Sequence, residues 1–515
     1  MQKLLPLYLL ALLSCGIPSA PASAPTDAAP PNILIILADD LGYSDIGCYG
    51  AEIATPHLDR LAANGITLRH FYNAARCCPT RAALLTGEYP HTAGMGGMVS
   101  PVGSEPPPGP YQGYLHKDVP TIAERLRQQG YATYMSGKWH VGENPEHWPL
   151  QRGFDRYFGL ISGASSYYTI RTDQDRQRQM ALDSLAWTPP ETGFYATDAY
   201  ADFAAERVRE HDRSKPFFLY LAFTAPHWPL HAPEEAVTPY YDRYAAGWDT
   251  LRRQRFDRMQ ALGIIDSTFT LPAMDDDTPD WQRVSEQHDW QRRMEVYAAM
   301  VSRMDAGIGR LLTALEQTGQ LDNTLLFFLS DNGGSPEVID GRGLHREGTR
   351  IGQPGSYLAY DRPWSQLSNV PYRKYKAWVD EGGIATPLII HWPAGLQGQT
   401  GWRDHYGHVI DLLPTALAAT GGAAAGANQL PGSNLFSVMR DSADRQTRPL
   451  FWEHQGQQAV RQGQWKLSRT DPNHDWRLFD LATDPTELHD LSVQHRERVS
   501  AMSDLYNQWA RRVEI

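Results

Sequence analysis

The stretch Asn32–Gly42, NILIILADDLG, decides the fold of this chain. Its first seven residues are a continuous apolar run, which predicts a strand buried on both faces of a sheet, Asn32–Ala38. The run ends in two carboxylates, Asp39 and Asp40, and a glycine that permits a turn follows them. Adjacent carboxylates repel each other unless a cation lies between them, and hard divalent cations prefer oxygen ligands. The stretch therefore predicts a buried parallel strand with a polar carboxyl end.

Downstream of this stretch, further apolar runs alternate with amphipathic helices. The predicted strands are Ala132–Ser136, Lys215–Phe223, Thr324–Leu329 and Pro387–His391, and the predicted helices are His57–Asn64, Thr121–Gln129 and Gln291–Glu316. The alternation indicates an α/β fold, with a large, mostly parallel sheet flanked by helices. After about residue 440 the pattern becomes one of short strand-like runs followed by a helix, Gln494–Arg512. This part predicts a small C-terminal antiparallel sheet plus helix.

The composition limits the class of protein. The chain has 515 residues, of which 42% are hydrophobic and 11% aromatic, enough for a large packed core. Lys and Arg number 47 against 59 Asp and Glu, so the net charge is −12, and no basic tail is present in the sequence. This balance argues against nucleic acid as a partner. An anionic substrate would need a local cluster of cations, because the overall field opposes its approach.

The first 31 residues have the pattern of an export signal followed by a tether. One positive charge precedes the apolar run Leu4–Leu13, which is too short for a permanent membrane helix. The residues Leu12-Leu13-Ser14-Cys15 resemble a bacterial lipobox, in which Cys15 is lipidated and becomes the mature N-terminus. Cleavage at Ala22-Ser23-Ala24 is the alternative. We expect an exported bacterial protein, either periplasmic or attached to the outer membrane through Cys15, with Gly16–Pro31 as a flexible tether.

Polar side chains also follow the other predicted strands. Lys138 and His140 follow the second strand, His227 follows the third, and Asp331-Asn332 follows the fourth. Sites in open parallel sheets lie at the carboxyl ends of the strands, so we expect these groups to meet Asp39 and Asp40. An asparagine carbonyl beside carboxylates suits Ca²⁺ better than Zn²⁺, which favours His or Cys. Among three cations in the stretch 372–376 we favour Lys376, five residues before the EGG segment at 381–383.

The segment Cys77-Cys78-Pro79-Thr80-Arg81 opens an Ala/Leu-rich helical run. Proline in the first turn places Cys77 at a helix entrance, where the helix favours negative charge, and Arg81 can reach back to the same point. An activated thiolate at Cys77 and a buried pair of structural cysteines both fit this pattern. A C-x₅-R phosphatase loop does not fit, since Arg81 follows Cys77 by four positions. Cys48 and Cys78 either form a disulfide or remain free.

Taken in order, these segments resemble the type I, formylglycine-dependent sulfatases of the alkaline-phosphatase-like superfamily, and in detail the bacterial arylsulfatases. The resemblance extends from Asn32 to about Leu491 and rests on the segments ADDLGYSDIGCYG, TPHLDRLAANG, CCPTRAALLTG, SGKWHVG, TAPHWP, LSDNGG, EGGIATPLIIHWPAG and HVIDLLPT. The signature cysteine of that family precedes proline by two positions, so the resemblance selects Cys77 and not Cys78. It implies an alkaline-phosphatase-like fold and hydrolysis of sulfate monoesters. It also implies that a maturing, formylglycine-generating enzyme converts Cys77 to formylglycine (3-oxoalanine).

The resemblance implies a metal site, and the leader and the change of pattern after about residue 440 indicate a domain division. One Ca²⁺ per chain would be bound by Asp39, Asp40, Asp331, Asn332 and the modified Cys77. The domains would be residues 1–31 as signal, lipobox and tether, 32–440 as the catalytic domain and 441–515 as the C-terminal subdomain.

The implied catalytic residues are Cys77, Arg81, Lys138, His140, His227 and Lys376. One hydroxyl of the hydrated residue 77 would attack sulfur while Arg81 and Lys138 hold the hydrate. Lys138, His227 and Lys376 would compensate the sulfate charge, and His227 or Lys376 would protonate the leaving oxygen. His140 would deprotonate the second hydroxyl so that sulfate is expelled.

The implied substrate is a sulfated small molecule or glycan. His454 of the C-terminal subdomain is a candidate substrate contact, with a purely structural histidine as the alternative. The long stretches Pro239–Asp280 and Gly334–Asn369 are expected to shape the binding site. Two other functions stay open: a phosphonate monoester hydrolase or phosphodiesterase that uses the same site, and a noncatalytic lipoprotein that binds sulfated glycans.

Overall fold

The computed structural model describes residues 29–170, 178–421, 429–440 and 448–515. The predicted lipobox and the alternative cleavage site lie outside these residues. Within the described ranges, every helix is either too short or too polar to cross a bilayer.

A ten-stranded sheet forms the centre of the described fold, in the order β10-β2-β9-β8-β1-β7-β3-β4-β5-β6. Its strands are β1 (Asn32–Asp39), β2 (Ile66–Tyr72), β3 (Ala132–Gly137), β4 (Arg156–Leu160), β5 (Met180–Leu182), β6 (Leu185–Trp187), β7 (Phe217–Pro226), β8 (Thr324–Ser330), β9 (Ala385–His391) and β10 (Gly401–His408). The quoted apolar run is β1, which pairs in parallel with β7 on one side and β8 on the other. The strand that decides the fold is therefore also central in the sheet.

Helices cover both faces of this sheet. They are α1 (Pro56–Ala63), α2 (Cys77–Thr86), α3 (Ile122–Gln128), α4 (Ala196–Glu210), α5 (Glu234–Val237), α6 (Gly247–Ala261), α7 (Gln287–Gln317), α8 (Asp361–Ser368), α9 (Glu381–Ile384), α10 (Pro393–Leu396), α11 (Leu412–Ala419), α12 (Phe436–Arg440) and α13 (Arg496–Arg512). Alternate residues of β1 point to opposite faces. Leu34 and Ile36 pack in the core that contains α4 and α7, whereas Ile33 and Ile35 pack in the core that contains α2 and α11.

A four-stranded antiparallel sheet forms the C-terminal subdomain, in the order β11 (Leu450–His454), β12 (Gln457–Gln462), β13 (Trp465–Arg469) and β14 (Arg477–Asp480). It packs with α13 against the α2 face of the large sheet, where the Phe451 and Trp509 rings stack 5.1 Å apart. Trp452 Nε1 also donates to the carbonyl of Asn73, 2.7 Å away, just beyond β2. These contacts hold the end of β11 beside the start of α2.

The predicted fold class is confirmed: a large, mostly parallel sheet flanked by helices, with a small antiparallel sheet plus helix after it. Five strands of the large sheet, β2, β4, β5, β6 and β10, were not predicted, and β9 runs antiparallel to both of its neighbours. β2 carries the polar pair Arg69-His70 within its run, which interrupts the apolar pattern that marks a buried strand. The long stretch Pro239–Asp280 is also partly regular, since it contains the 15-residue helix α6.

Candidate active site

The predicted polar residues meet at the carboxyl edge of the large sheet. Asp39 ends β1, Lys138 and His140 follow β3, His227 follows β7, and Asp331-Asn332 follows β8. Two of these residues lie in the left-handed region of backbone space, Asp40 with φ 65° and His140 with φ 57°. Residues that are not glycine rarely adopt this conformation unless the surrounding structure imposes it, and such residues concentrate at functional sites.

Three carboxylates and one amide converge within this edge. Asn332 Nδ2 donates to Asp40 Oδ1 at 2.7 Å, and the Asp40 amide donates to Asp331 Oδ1 at 3.2 Å. Two oxygens of the set, Asp39 Oδ1 and Asn332 Oδ1, accept no hydrogen bond from any described residue although they are buried. Burial and the neighbouring Asp331 carboxylate raise the pKa of Asp39 well above its usual value. Buried, mutually repelling oxygens with free lone pairs fit a hard divalent cation such as Ca²⁺.

Cys77 is the first residue of α2, as its spacing to proline predicts. Every residue of α2 is buried, and Arg81 lies one turn after Cys77 with its side chain fully enclosed. Arg81 Nη2 donates to Asp331 Oδ2 at 2.9 Å, and Nη1 donates to the carbonyl of Lys138 at 2.9 Å. Arg81 therefore joins the helix entrance to two strand ends and orients the groups around residue 77.

Lys138 and His140 lie on the same side of this pocket. Lys138 Nζ donates to Asp39 Oδ2 at 2.6 Å. The His140 ring nitrogens lie 3.5 and 3.4 Å from Cys78 Sγ. Burial lowers the pKa of His140 to about 3, so the imidazole is neutral near pH 7 and able to accept a proton. A Cβ atom at Gly163 would approach His140 Nε2 to 2.2 Å, so glycine is needed there for the ring to fit.

His227 and Lys376 lie beside Asp40, each within 3.4 Å of its Oδ2 atom. His227 Nδ1 lies 2.6 Å from the Trp228 carbonyl, which can only accept, so Nδ1 carries the proton and Nε2 has a free lone pair. That nitrogen lies 3.3 Å from Lys376 Nζ. Burial lowers the pKa of His227 to about 3, whereas Asp40 and Glu337 outweigh burial and raise the pKa of Lys376. Of the two proton donors that the sequence left open, Lys376 is thus the protonated one.

Sequence reasoning missed two charged residues beside this pocket, Glu337 and Arg76. Glu337 Oε2 accepts from Lys376 Nζ at 2.8 Å and from Trp228 Nε1 at 2.8 Å, and Oε1 accepts from Arg76 Nη2 at 2.9 Å. These cations outweigh burial and lower the pKa of Glu337 well below its usual value. Two signals were available: Arg76 directly precedes Cys77, and Glu337 lies in the stretch predicted to shape the site.

His454 ends β11 and faces the catalytic domain. Alternate strand residues share a face, so His454 lies on the side of Trp452, which bonds to Asn73. Only 1% of His454 is exposed, and neither ring nitrogen has a hydrogen-bond partner among the described residues. Burial, then the Arg76 charge, lower the pKa of His454 to about 4. The structure therefore places a neutral, buried imidazole on the Arg76 side of the pocket, next to the Gly96 backbone.

The three described cysteines, Cys48, Cys77 and Cys78, are free thiols. The alternative of a Cys48–Cys78 disulfide is wrong. The Cys48 amide bonds to Asp59 near α1, whereas Cys78 lies within α2 against His140. These two cysteines belong to different sides of the large sheet.

The fold and the polar residues at this edge of the sheet are those of a hydrolase, and comparison with known proteins identifies its family. The sulfatase family model matches residues 31–423, so the chain belongs to the sulfatase family and is a sulfuric ester hydrolase. It is 37% identical over 385 residues to an arylsulfatase of Klebsiella aerogenes, covering 70% of this chain and 81% of that one. It is 32% identical over 527 residues to an uncharacterized sulfatase of Schizosaccharomyces pombe, covering 93% and 92%.

A solved structure supports the same family. The crystal structure of Ps i-CgsB in complex with k-i-k-neocarrahexaose superposes with a TM-score of 0.67 at 27% sequence identity. The match covers 93% of this chain and 92% of that one. The similarity therefore includes the C-terminal sheet as well as the large sheet.

Proposed function

We propose that this sulfatase cleaves sulfate monoesters with residue 77 as the nucleophile and a divalent cation beside it. The observation that carries the proposal is the meeting of two sets of groups at the start of α2. One set consists of buried oxygens, two of them without a hydrogen-bond donor. The other set consists of the cations Arg81, Lys138 and Lys376. A sulfate ester presents negative oxygens to the cations and an electrophilic sulfur to residue 77.

The proposed chemistry also needs two groups that the sequence does not encode directly, a metal ion and a modified residue 77. Ca²⁺ bound by Asp39, Asp40, Asp331, Asn332 and residue 77 would supply Lewis-acid polarisation. Formylglycine at position 77, made from Cys77 by a maturing enzyme, would supply the attacking hydroxyl group. The two unpaired oxygens of Asp39 and Asn332 support the first assignment, and the position of Cys77 at the N-terminus of α2 supports the second.

The remaining residues are assigned by charge and proton state. Arg81 and Lys138 orient the nucleophile through their bonds to Asp331 and Asp39. Lys376 donates a proton toward the leaving oxygen, because the neighbouring His227 Nε2 is unprotonated. His140 is neutral and accepts the proton whose removal allows sulfate to leave. Electrostatic stabilisation by such preorganised donors is usually the largest contribution to rate.

The proposal is tested first at residue 77. Peptide mass spectrometry of active protein should show the mass loss that accompanies conversion of Cys77, and Cys77→Ala should reduce turnover of p-nitrophenyl sulfate by at least about 10⁴-fold. Cys48→Ser, on the other side of the sheet, is the matched control and should retain activity. An unmodified thiol in fully active protein would refute the nucleophile assignment.

A paired assay separates the alternative functions. Rates with p-nitrophenyl sulfate and with a phenyl phosphonate ester should favour the sulfate, because the chain is similar to sulfatases over most of its length. A phosphonate rate greater by orders of magnitude would favour the phosphonate hydrolase. Binding of a sulfated glycan without any turnover by converted protein would favour the noncatalytic lipoprotein.

We further propose that the natural substrate is a sulfated carbohydrate and that His454 contacts its sugar. The His454 imidazole is neutral and lies beside Arg76 and the Gly96 backbone, and a neutral ring suits hydroxyl groups rather than a second sulfate. The bound neocarrahexaose in the similar Ps i-CgsB structure agrees with this substrate class. His454→Ala should lower kcat/KM on sulfated oligosaccharides by about tenfold or more while p-nitrophenyl sulfate changes little. Equal losses on both substrates would indicate a structural histidine.

We also propose export to the periplasm, with attachment to the outer membrane through lipidated Cys15. The sequence of residues 1–31 supports this proposal. In the native host, Cys15→Ala should move the protein from the membrane fraction to the soluble periplasmic fraction. If the wild-type protein is already soluble there, cleavage at Ala22-Ser23-Ala24 is favoured instead.

A further inference from the structure

The connection between α2 and α3 is a long segment with an ordered backbone. It comprises residues 87–121, all of which the structure describes, and these residues form no helix or strand. Irregular connections of this length in a compact domain are usually functional. Backbone hydrogen bonds fold the segment back on itself: the Gly96 amide donates to the Pro110 carbonyl at 2.9 Å, and the Gly113 amide donates to the Gly94 carbonyl at 3.0 Å. The connection can therefore hold a side chain in a fixed position.

Residues 96–99 of this connection border the active-site pocket. The Gly96 backbone lies next to the His454 imidazole, and the Val99 backbone lies next to the Cys78 thiol. Cys78 directly follows the proposed nucleophile in sequence. Gly96 and Val99 are buried, whereas Met98 between them is 36% exposed. The protein surface at Met98 therefore adjoins the pocket.

The Tyr111 side chain packs on this border and is held there by the C-terminal subdomain. A Cβ atom at Gly96 would approach Tyr111 Cε1 to 2.9 Å, so the ring lies directly on the glycine. Tyr111 Oη donates to Glu453 Oε2 at 2.8 Å, and Glu453 precedes His454 in β11. His91 Nε2 lies 2.8 Å from the same oxygen, and its ring meets the Tyr111 ring edge-on at 5.4 Å. These contacts fix the orientation of the Tyr111 ring.

The Tyr111 ring is accessible to a ligand although it is fixed. Tyr111 is 49% exposed, and Glu105 is the only charged residue in the sequence from Gly96 to Gly113. A rigid aromatic ring supplies a large apolar contact area at a low cost in conformational entropy. The C–H groups on one face of a pyranose ring are apolar, so a sugar can bury that face against an aromatic ring while its hydroxyl groups stay in water. An uncharged aromatic surface suits a sugar ring better than a sulfate group.

We propose that Tyr111 is a platform on which a glycan substrate stacks the sugar unit next to the sulfated one. The inference rests on the proposed carbohydrate substrate and adds a second contact to it. His454 lies on one side of Gly96 and Tyr111 on the other. A glycan that leaves the pocket past His454 therefore meets the Tyr111 ring with its next unit. An aryl sulfate has no second unit to place there.

The test uses the full-length converted enzyme, with p-nitrophenyl sulfate as the small reference substrate. The glycan probes are hexasaccharides from carrageenan, chondroitin sulfate and heparan sulfate, each compared with its sulfated monosaccharide. On the hexasaccharide with the highest kcat/KM, Tyr111→Ala should lower the ratio of kcat/KM to that on p-nitrophenyl sulfate by about tenfold, because buried apolar area is lost. Tyr111→Phe keeps the ring and should stay within about threefold of wild type.

Tyr241→Ala is the matched control for this series. Tyr241 is also a partly exposed tyrosine, 41% accessible, and its hydroxyl donates to a carboxylate, that of Glu234, away from the pocket. The control should keep the wild-type ratio of kcat/KM on the two substrates. Circular dichroism confirms that each variant is folded.

Three results would overturn the proposal. The first is an equal ratio in Tyr111→Ala and wild type. The second is an equal loss in Tyr111→Ala and Tyr111→Phe, which would assign the effect to the bond with Glu453. The third is that no hexasaccharide exceeds its sulfated monosaccharide in kcat/KM.

Failure of the proposed function is read separately. If converted wild-type enzyme does not hydrolyse p-nitrophenyl sulfate, the proposed function fails, and calorimetric binding of the hexasaccharides to Cys77→Ala protein decides whether Tyr111 is a platform. Adding Tyr111→Ala to that protein should weaken binding of the hexasaccharide bound most tightly by about tenfold. Equal binding by both proteins, or no binding by either, would overturn the platform.

Discussion

Two clusters of buried charge, one at the active site and one beneath the C-terminal sheet, differ in how completely their oxygens are paired. The cluster beneath the C-terminal sheet, here called the interface cluster, consists of Lys466, Glu381 and Glu487. Lys466 Nζ lies 2.8 Å from Glu381 Oε1 and 2.9 Å from Glu487 Oε1. The other oxygens accept from Tyr72 Oη at 2.9 Å and from the Glu381 amide at 2.7 Å. At the active site, by contrast, Asp39 Oδ1 and Asn332 Oδ1 accept no hydrogen bond from the described residues.

The difference separates a binding site from a structural contact. A buried polar atom without a partner costs free energy, so folded proteins keep few of them unless a ligand or ion satisfies them. In the interface cluster each oxygen of Glu381 and Glu487 has a hydrogen-bond donor or the Lys466 cation within 2.9 Å, whereas the Arg81 cation lies 3.7 Å from Asp39 Oδ1. Neither burial nor a single unpaired oxygen identifies a site, since both oxygens of buried Asp380 also lack a hydrogen bond. The active site differs in that three carboxylates and an amide converge there.

Among the variants that test this comparison, the largest effect is expected when a carboxylate of the active site is neutralised. Asp39→Asn should reduce sulfate ester hydrolysis by about 10³-fold or more, because a charge that stabilises the transition state is lost. Its amide oxygen can still accept from Lys138. The pKa of Asp39 is raised in the folded protein, so its charged form costs stability above its usual pKa when no cation is bound. Thermal unfolding in chelator should therefore show equal or greater stability for the variant, and a clear loss would make Asp39 structural.

In the interface cluster we expect a substitution to lower stability and to leave activity nearly unchanged. Lys466→Met removes the cation that contacts both Glu381 and Glu487 and leaves only the more distant Arg461 beside Glu381, so it should lower the free energy of unfolding by about 3–5 kcal/mol. The folded fraction should keep a nearly normal kcat. The triple variant with Glu381→Gln and Glu487→Gln removes the unpaired charges and should recover part of the loss, as measured by urea denaturation. If Lys466→Met is as stable as wild type, the interface cluster is not structural.

A third prediction concerns pH at the same interface. Burial, then the Arg448 charge, lower the pKa of His408 to about 3, against about 6.5 in the unfolded chain. The stability from its neutral form is thus fully present above pH 6.5 and is lost as the pH falls toward 3. His408→Asn should remove about 2 kcal/mol of the stability difference between pH 6.5 and 5. Denaturation curves at both pH values check this, and an unchanged difference would contradict it.

The smallest effect is expected at Glu337, a fully paired carboxylate inside the site. Glu337→Gln should lower kcat by about tenfold, because Lys376 loses the partner that positions it. KM for a sulfate ester should not rise, since the change removes a negative charge near an anionic substrate. Glu234→Gln is a matched control, because Glu234 pairs with Arg292 and Arg350 away from the pocket. Loss of stability with unchanged kcat would place Glu337 with the interface residues instead.

Much of the fold and the site followed from local patterns. The apolar run of β1, the turn after it and the helix entrance at Cys77 depend on residues close in sequence, and each lies where it was predicted. The strands β2 and β10 and the role of Glu337 were not predicted. Their environment comes from neighbours distant in sequence: β2 pairs with β9 and β10.

By itself, the sequence determined the fold class and the strand ends that carry the polar residues, and its resemblance to the sulfatases favoured Cys77 over Cys78 as the proposed nucleophile. Tertiary structure alone decided which oxygens stay unpaired, which proton His227 carries and that Cys48 and Cys78 lie apart. The physical reason is the register of the sheet. Pairing of Ala38 with Ser330 brings Asp40 and Asn332 into contact across 292 positions of sequence. A local sequence pattern predicts which polar groups lie at each strand end. Only the pairing of the strands determines which of those groups form hydrogen bonds.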